Sequence, residues 1–364
     1  MIRPRFPQGI DWVLAVVPLL LVVAGIAVIY SIAPAEGGRA SQAVSQGIYA
    51  LLGIGIFIFL ASVDYRLFRA AAPALYGTTL LLLVLVLIVG SIQFGARRWI
   101  DLGPFQLQPS ELMKAVGVIT LAWFFASREE VKIGDLAAAL LLIIAPVLLV
   151  LRQPDFGSAL LLLAGPAPIF VLSRISREQW LGIAAVVVVV IPLIFFTLQP
   201  YQRARLETYL NPEQDPFGTG YNVLQSTIAI GAGGLTGRGL GQGSQSTLQF
   251  VPVAHTDFIF AGIAEATGFL GSATLLTLFA VLIARSFRLA LLAQDRFGRL
   301  LSAGIASLWL FSVFINVGMN LGLVPVTGIP LPFVSFGGSS LLTNFALAGM
   351  LQSIHRRHRK INFR

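Results

Sequence analysis

Glu111 and Lys114 stand three residues apart inside an apolar stretch that runs from about 110 to 126. On a helix that spacing puts both on one face. A charge at bilayer depth costs about 2.5 to 3.5 kcal/mol on insertion scales, so the two must face protein or water. They read either as a mutually neutralising structural pair or as the floor of a polar cavity in which Lys114 meets an anionic group. Asp155 lies in the string QPDFGSA, Gln153 to Ala159, where an aspartate also serves as a helix cap. Arg97 and Arg98 precede Trp99 in GARRWIDLGP, a pairing that equally anchors a chain at a membrane surface. Asp257 closes a long polar interval. Thr256 reads as an N-cap and Asp257 as a first-turn acid favoured by the helix dipole. Glu265, eight residues on, returns to a nearby face about two turns deeper and is a candidate to line a wetted cavity. Such carboxylates suit acid–base work and such cations suit phosphate, but local sequence leaves each residue with a structural alternative.

The elements that position them are set by composition. The 364 residues are 56% hydrophobic and only 11% charged, with mean hydropathy +0.84, whereas a soluble domain carries roughly 25% charged residues. This is an integral membrane protein, and a bundle crossing the bilayer repeatedly makes residues 1–364 one domain. The absence of cysteine excludes disulfides, thiol nucleophiles and thiolate metal sites. With only His255, His355 and His358 present, a multi-histidine metal centre in the bundle is not expected. The net charge of +9 is scattered over short loops and the tail, so it points to membrane orientation rather than to nucleic acid. Arg3 and Arg5 precede an apolar run from Trp12 to Ile32, with Ala33, Pro34 and Ala35 resembling a cleavage site. A signal-peptide core is about 7 to 15 residues long, so this longer run reads as an uncleaved first span.

Apolar runs of membrane length predict an all-α polytopic membrane protein with about ten transmembrane helices. They lie near residues 11–32, 43–62, 73–92, 110–126, 135–151, 156–172, 179–198, 257–284, 300–321 and 339–354. Seventeen Lys and Arg then fall on one side and seven on the other, with Lys114 left inside a span. The bias places both termini in the cytoplasm, including a basic tail at about 355–364, and a large extracytoplasmic loop at about 199–256 between the seventh and eighth spans. An open loop of that length is rare unless functional. Within it, Tyr221 to Ala232 is apolar enough to lie in or dip below the interface, and the glycines from Gly231 to Gly243 would leave backbone amides accessible. Asn316 to Ser340 contains Pro325, Pro330 and Pro332, which end any helix. It reads as an ordinary outer loop or as broken backbone facing a cavity.

Several long strings stand in a recognisable order. GARRWIDLGPFQLQPSELMK, QPDFGSA, GAGGLTGRGLGQGSQS, HTDFIFAGIAEATGFLG and PVTGIPLPFVSFGGSS resemble the motifs of the shape, elongation, division and sporulation (SEDS) family. The last string is nearer to the elongation branch than to the division branch. The resemblance covers nearly the whole chain. It implies a multi-pass protein of the bacterial cytoplasmic (inner) membrane that polymerises lipid II into peptidoglycan for cell elongation and shape. The nascent glycan stays linked to undecaprenyl diphosphate, and a class B penicillin-binding protein is the implied partner. It carries the essential outer-loop aspartate onto Asp257 and the polar cavity onto Glu111, Lys114 and Asp155, with Arg97 a further member of the substrate site.

An α-linked sugar diphosphate that becomes a β linkage inverts the anomeric carbon, which requires one displacement and no covalent nucleophile. By analogy with inverting glycoside hydrolysis it requires a carboxylate base on the attacking hydroxyl, for which Asp257 is the candidate. Lys114 with Arg97, Arg98 or Arg205 would meet the charge of the departing diphosphate. A divalent cation, Mg²⁺ or Mn²⁺, is compatible with that chemistry, with Asp155 the candidate ligand, and no organic cofactor is called for. The alternative is a lipid II flippase, which would need a polar path open to both sides. A noncatalytic membrane scaffold would leave Glu111, Lys114 and Asp257 without a purpose.

Overall fold

In the computed structural model, described residues are 9–32, 38–93, 96–103, 105–185, 219–247 and 255–357, with 188, 209 and 250 described singly. The chain opens with α1 (Trp12–Ile32), α2 (Gly38–Ser62) and α3 (Arg66–Val89). A small antiparallel sheet follows, β1 (Ser91–Gln93), β2 (Ala96–Asp101) and β3 (Gln106–Leu107), in the order β1-β2-β3. Next come α4 (Pro109–Ala126), α5 (Ile133–Arg152), α6 (Phe156–Ala164) and α7 (Ala167–Leu172), then α8 over 177–185. After the undescribed stretch lie α9 (Thr219–Ala232), α10 (Ser244–Thr247), α11 (Ile259–Leu292), α12 (Arg296–Asn320) and α13 (Gly338–Arg357).

Seven of the described helices, α1 to α5, α11 and α12, are long and apolar enough to cross a membrane. The predicted sixth span is the broken pair α6 and α7, interrupted at Gly165 and Pro166, and the tenth is α13. Most of the predicted seventh span lies outside the described residues, as do Arg3, Arg5 and Arg205. The first span is integral to the bundle: Leu14, Leu21 and Ile29 of α1 are completely buried.

Two helices form the centre. In α4 and α12, 78% of the apolar window is buried, against 17–44% in the other five spans, so these two are shielded from lipid and can carry polar groups. Around them α2 closes onto α13 through small residues. Gly53 lies against the Phe345 ring, and Gly349 against the main chain of Phe57, the close approach by which membrane helices gain packing without a hydrophobic driving force.

The sheet departs from the all-helical expectation. The spans at 73–92 and 110–126 leave the residues between them without an assigned element, yet Ser91 pairs with Trp99, and Ile100 with Leu107. The Asp101 carboxylate accepts from Gly103 N at 2.9 Å and closes the second turn. These strands are too short for an alternating pattern to stand out beside membrane-length helices.

The opposite end of the bundle is closed by ion pairs. Asp11 ahead of α1 pairs with Arg285 of α11, and His355 of α13 stands 3.6 Å away. Arg128 after α4 pairs with Asp135 of α5 at 2.6 Å, and a guanidinium nitrogen of Arg296 donates to the Arg128 carbonyl.

Candidate active site

The proline-rich segment between α12 and α13 organises the site. An ordinary outer loop would be exposed, but Ile329, Leu331, Phe333, Val334 and Ser335 are all buried. It is therefore a strap threaded into the bundle, with backbone satisfied by protein as membrane depth demands. Gln46 of α2 holds it with both ends of its amide, Nε2 donating to Ser335 O at 3.1 Å and Oε1 accepting from Gly337 N at 3.3 Å. Phe333, at φ 64°, wedges its ring between Trp309 and Phe345 at centroid separations of 5.6 and 5.5 Å. A phenylalanine in the left-handed region is strained, and such strain persists only where the surroundings hold it.

Two acids, and the helix start that carries a third, meet this strap. Asp257 lies beside Gly328, where an added Cβ would stand 3.4 Å from Asp257 Oδ2. Asp155 precedes Gly157, whose missing side chain lets α6 approach; a Cβ there would be 2.6 Å from both Ile329 Cγ1 and Thr327 O. Pro330 and Pro332 line a cleft with Glu111 and Lys114. Residues that the sequence separates by about 150 positions thus gather around the six strap residues from Thr327 to Pro332.

Glu111 and Lys114 form a buried ion pair at 2.6 Å, as their spacing implied. Pro109 opens α4 at its first position, where its missing N–H costs nothing, and Glu111 sits in the first turn. The cleft above the pair is narrow, with a volume of about 20 Å³, room for about one water molecule. Ser340, Thr343 and Asn344 of α13 and Trp309 of α12 complete it. Asn344 Oδ1 accepts from Trp309 Nε1 at 2.8 Å. The Thr343 hydroxyl is buried with no hydrogen-bond partner among the described residues. Sequence reading missed Thr343 and Asn344, which look like helix-face residues of an apolar span.

Asp155 takes the capping role that its sequence context allowed and is not among the residues lining the cleft of Glu111 and Lys114. It caps α6, Oδ1 accepting from Ser158 N at 3.1 Å. Its Oδ2 accepts from Gln108 Nε2 at 3.3 Å and Ser110 Oγ at 3.2 Å, which ties α6 to the start of α4. With these three donors around it, Asp155 makes a poor metal ligand. Among the described residues no group of three or more histidines, cysteines and acids gathers to hold a metal ion.

The cations divide. Arg98 was expected at the substrate, but its Nε donates to Gln153 O at 2.9 Å and Nη2 to Pro154 O. It clamps the turn that presents Asp155, because these carbonyls at the end of α5 need donors. Arg97, on the other face of β2, is exposed and donates to Ile88 O at 3.3 Å.

α11 begins at Ile259, with Phe258 rather than Thr256 at the N-cap position. His255, Thr256 and Asp257 form a half-buried turn ahead of it. Burial holds the His255 imidazole below its ordinary pKa, and its ring meets Phe336 edge-on at 5.9 Å. His255 is therefore neutral near pH 7 and contributes no cation here.

Glu265 is not a cavity residue. It is completely buried, with Oε1 accepting from Gln245 N at 2.8 Å and Oε2 from Ser246 N at 2.9 Å and from Ser246 Oγ. A carboxylate on a helix start is favourable, and this one caps α10 from another helix. Within the glycine-rich string the amides of Gly233, Gly234, Gly237 and Gly239 are likewise committed to main-chain carbonyls. α11 breaks at Gly268 (φ 66°, ψ −162°), a conformation that glycine alone adopts freely. Across the break Arg238 N and Gly239 N donate to Glu265 O and Ala266 O. In return Phe269 N and Leu270 N donate to Gly234 O and Leu235 O. A side chain at Gly233 would collide with the Ala264 carbonyl, and one at Gly237 with that of Ala266. Residues 233–247 thus form a clip joined to α11 at its break, about 14 Å along the helix by its rise per residue.

A family model described as cell cycle protein, for FtsW, RodA and SpoVE, matches residues 11–360. The peptidoglycan glycosyltransferase MrdB of Escherichia coli (strain K12) is 40% identical over 356 residues, spanning 97% of this chain and 95% of that protein. Stage V sporulation protein E of Bacillus subtilis (strain 168) is 37% identical over 358 residues, spanning 95% and 97%. Among solved structures, the rod shape determining protein RodA of Thermus thermophilus superposes with TM-score 0.72 at 32% identity, covering 97% of this chain and 99% of that one. A chain from work on coordination of polymerization and crosslinking by a peptidoglycan synthase complex superposes with TM-score 0.82 at 35% identity, covering 96% and 99%.

Proposed function

The chain belongs to the cell cycle protein family of FtsW, RodA and SpoVE, and from that membership we propose how its geometry makes glycan. It is a peptidoglycan glycosyltransferase of the RodA type. The substrate is lipid II, and the reaction is a single inverting displacement at the outer face of the cytoplasmic membrane. Asp257 takes the proton from the acceptor hydroxyl as that oxygen attacks the anomeric carbon. The bond to the lipid diphosphate breaks on the opposite side, and Lys114 meets the charge that develops there. Positioned base catalysis contributes roughly 10² to 10⁴ in rate, and a preorganised cation on the leaving group is often the larger effect.

The observation that carries this reading is the strap. Gly328 and Ile329 stand at Asp257, and Pro330 and Pro332 line the cleft of Glu111 and Lys114, so base and cation lie on two sides of a few residues. The cleft is small enough that it takes only part of a lipid-linked disaccharide peptide, the rest lying across the surface toward Arg97. A divalent ion carried by the diphosphate finds no protein cage among the described residues, and no step is assigned to it. Deeper in the bundle Val118, Ile119, Phe125, Leu300, Leu301 and Ile305 are buried, which favours one-sided chemistry over a flippase path.

A class B penicillin-binding protein is the proposed partner, supported by the similar chain of a peptidoglycan synthase complex. Both termini lie in the cytoplasm, supported by the Lys and Arg bias. Purified protein incubated in detergent with labelled lipid II will yield glycan strands. A flippase or scaffold would yield none, and that outcome would defeat the reading.

A further inference from the structure

Three consecutive main-chain carbonyls ahead of α11 are each held by a different donor. His255 O accepts from Phe336 N at 3.0 Å, and Thr256 O accepts from Ser335 Oγ at 2.6 Å. Asp257 O accepts from two side-chain amides, Asn316 Nδ2 at 2.9 Å and Asn320 Nδ2 at 3.1 Å. A helix start leaves N–H groups in need of partners, not the carbonyls of residues that precede it. Helix formation therefore does not account for this arrangement.

The two asparagines are one turn apart on α12, and both are completely buried, which is costly for an amide unless its groups are bonded. Asn316 Nδ2 also donates to Ile329 O at 2.7 Å, joining the turn to the strap. Asn320 reaches further. Its Oδ1 accepts from Ala261 N at 3.1 Å, and its main-chain carbonyl accepts from Ser226 Oγ of α9 at 2.8 Å. The Oδ1 contact satisfies an N–H in the first turn of α11, which gives Asn320 a structural duty. It does not explain why both amide nitrogens converge on the one carbonyl of Asp257, filling both of its lone pairs.

We propose that Asn316 and Asn320 are positioning residues for Asp257, fixing its main chain so that only its side-chain torsions remain to aim the carboxylate. The role rests on Asp257 being the base. A group that must meet its proton within hydrogen-bond reach gains from such a mount, since a displacement of about 1 Å can cost 10²-fold in rate. Asn320 also ties α9 to the Asp257 mount through Ser226 Oγ.

Asn316→Ala is the cleaner test, because Asn316 does not cap α11. With purified lipid II, the expected result is a 10- to 100-fold lower kcat, a KM within about twofold of the parent, and an unchanged stoichiometry of lipid II binding. A kcat at the parental value, or one lowered only in proportion to binding-competent protein, would overturn the role. Should Asn316→Ala not fold, Asn316→Asp, which keeps the volume and removes the amide donor, is read by the same quantities. Asp257→Asn runs beside them. If it is inactive while Asn316→Ala is parental, the positioning role alone falls; if it turns over normally, the base assignment falls and takes this role with it.

Discussion

At the scale of single residues, the Glu111–Lys114 pair separates a structural duty from a catalytic one. Removing one partner of a buried pair leaves an uncompensated charge and costs about 3 to 5 kcal/mol. Lys114→Met should therefore lower the thermal midpoint and abolish polymerisation. Adding Glu111→Gln should restore the midpoint but not the activity; recovery of both would make the pair purely structural. Gly328 (φ 72°) makes a second case, because an alanine there costs about 1 to 2 kcal/mol in the left-handed region and sets a methyl against the Asp257 carboxylate. Gly328→Ala should lose turnover beyond what its melting shift explains. His255 gives a pH signature. Its pKa is lower folded than unfolded because burial disfavours the charged ring, so the unfolded chain binds the proton first. Its contribution is full above about pH 6.5 and is lost as pH falls below that value. A melting series from pH 7.5 to 5 should fall less steeply for His255→Phe, which keeps the ring on Phe336, than for the parent.

At the scale of elements, the long apolar helices and the fourth span with its charged pair were legible, because 18 or more apolar residues leave few alternatives to a membrane helix. The strap and the clip were not. PVTGIPLPFVSFGGSS and GAGGLTGRGLGQGSQS carry the composition of loops, and their burial follows from partners far away in sequence: Gln46 and Trp309 for one, the break at Gly268 for the other. Glu265 was misplaced for the same reason, since no local pattern reveals that its carboxylate caps a helix about 20 residues upstream. Asn316 and Asn320 sit in an otherwise ordinary span, and buried asparagines on one face of it were the only available signal. The clip makes its own prediction. Glu265→Gln loses the charge-assisted bonds to Gln245 and Ser246, so hydrogen exchange should quicken over 233–247 while α4 and α12 stay protected. Uniformly faster exchange, or none, would contradict a local capping role.

At the scale of the whole molecule, the buried polar groups assigned to catalysis collect at one end of an otherwise apolar bundle, while ion pairs such as Asp11–Arg285 close the other. The Lys and Arg bias assigns the catalytic end to the outside, and the absence of cysteine makes this simple to check. Asp101→Cys should react with an impermeant thiol reagent on intact cells, and Glu130→Cys only after lysis; the reverse would invert the topology. The central claim is that the acid beside the strap takes the acceptor proton in glycan polymerisation. Its most direct test compares purified parent and Asp257→Asn, both verified as folded, in detergent with labelled lipid II. The parent should build glycan strands and Asp257→Asn should be slower by at least about 10², whereas strands made by Asp257→Asn at the parental rate would contradict the account.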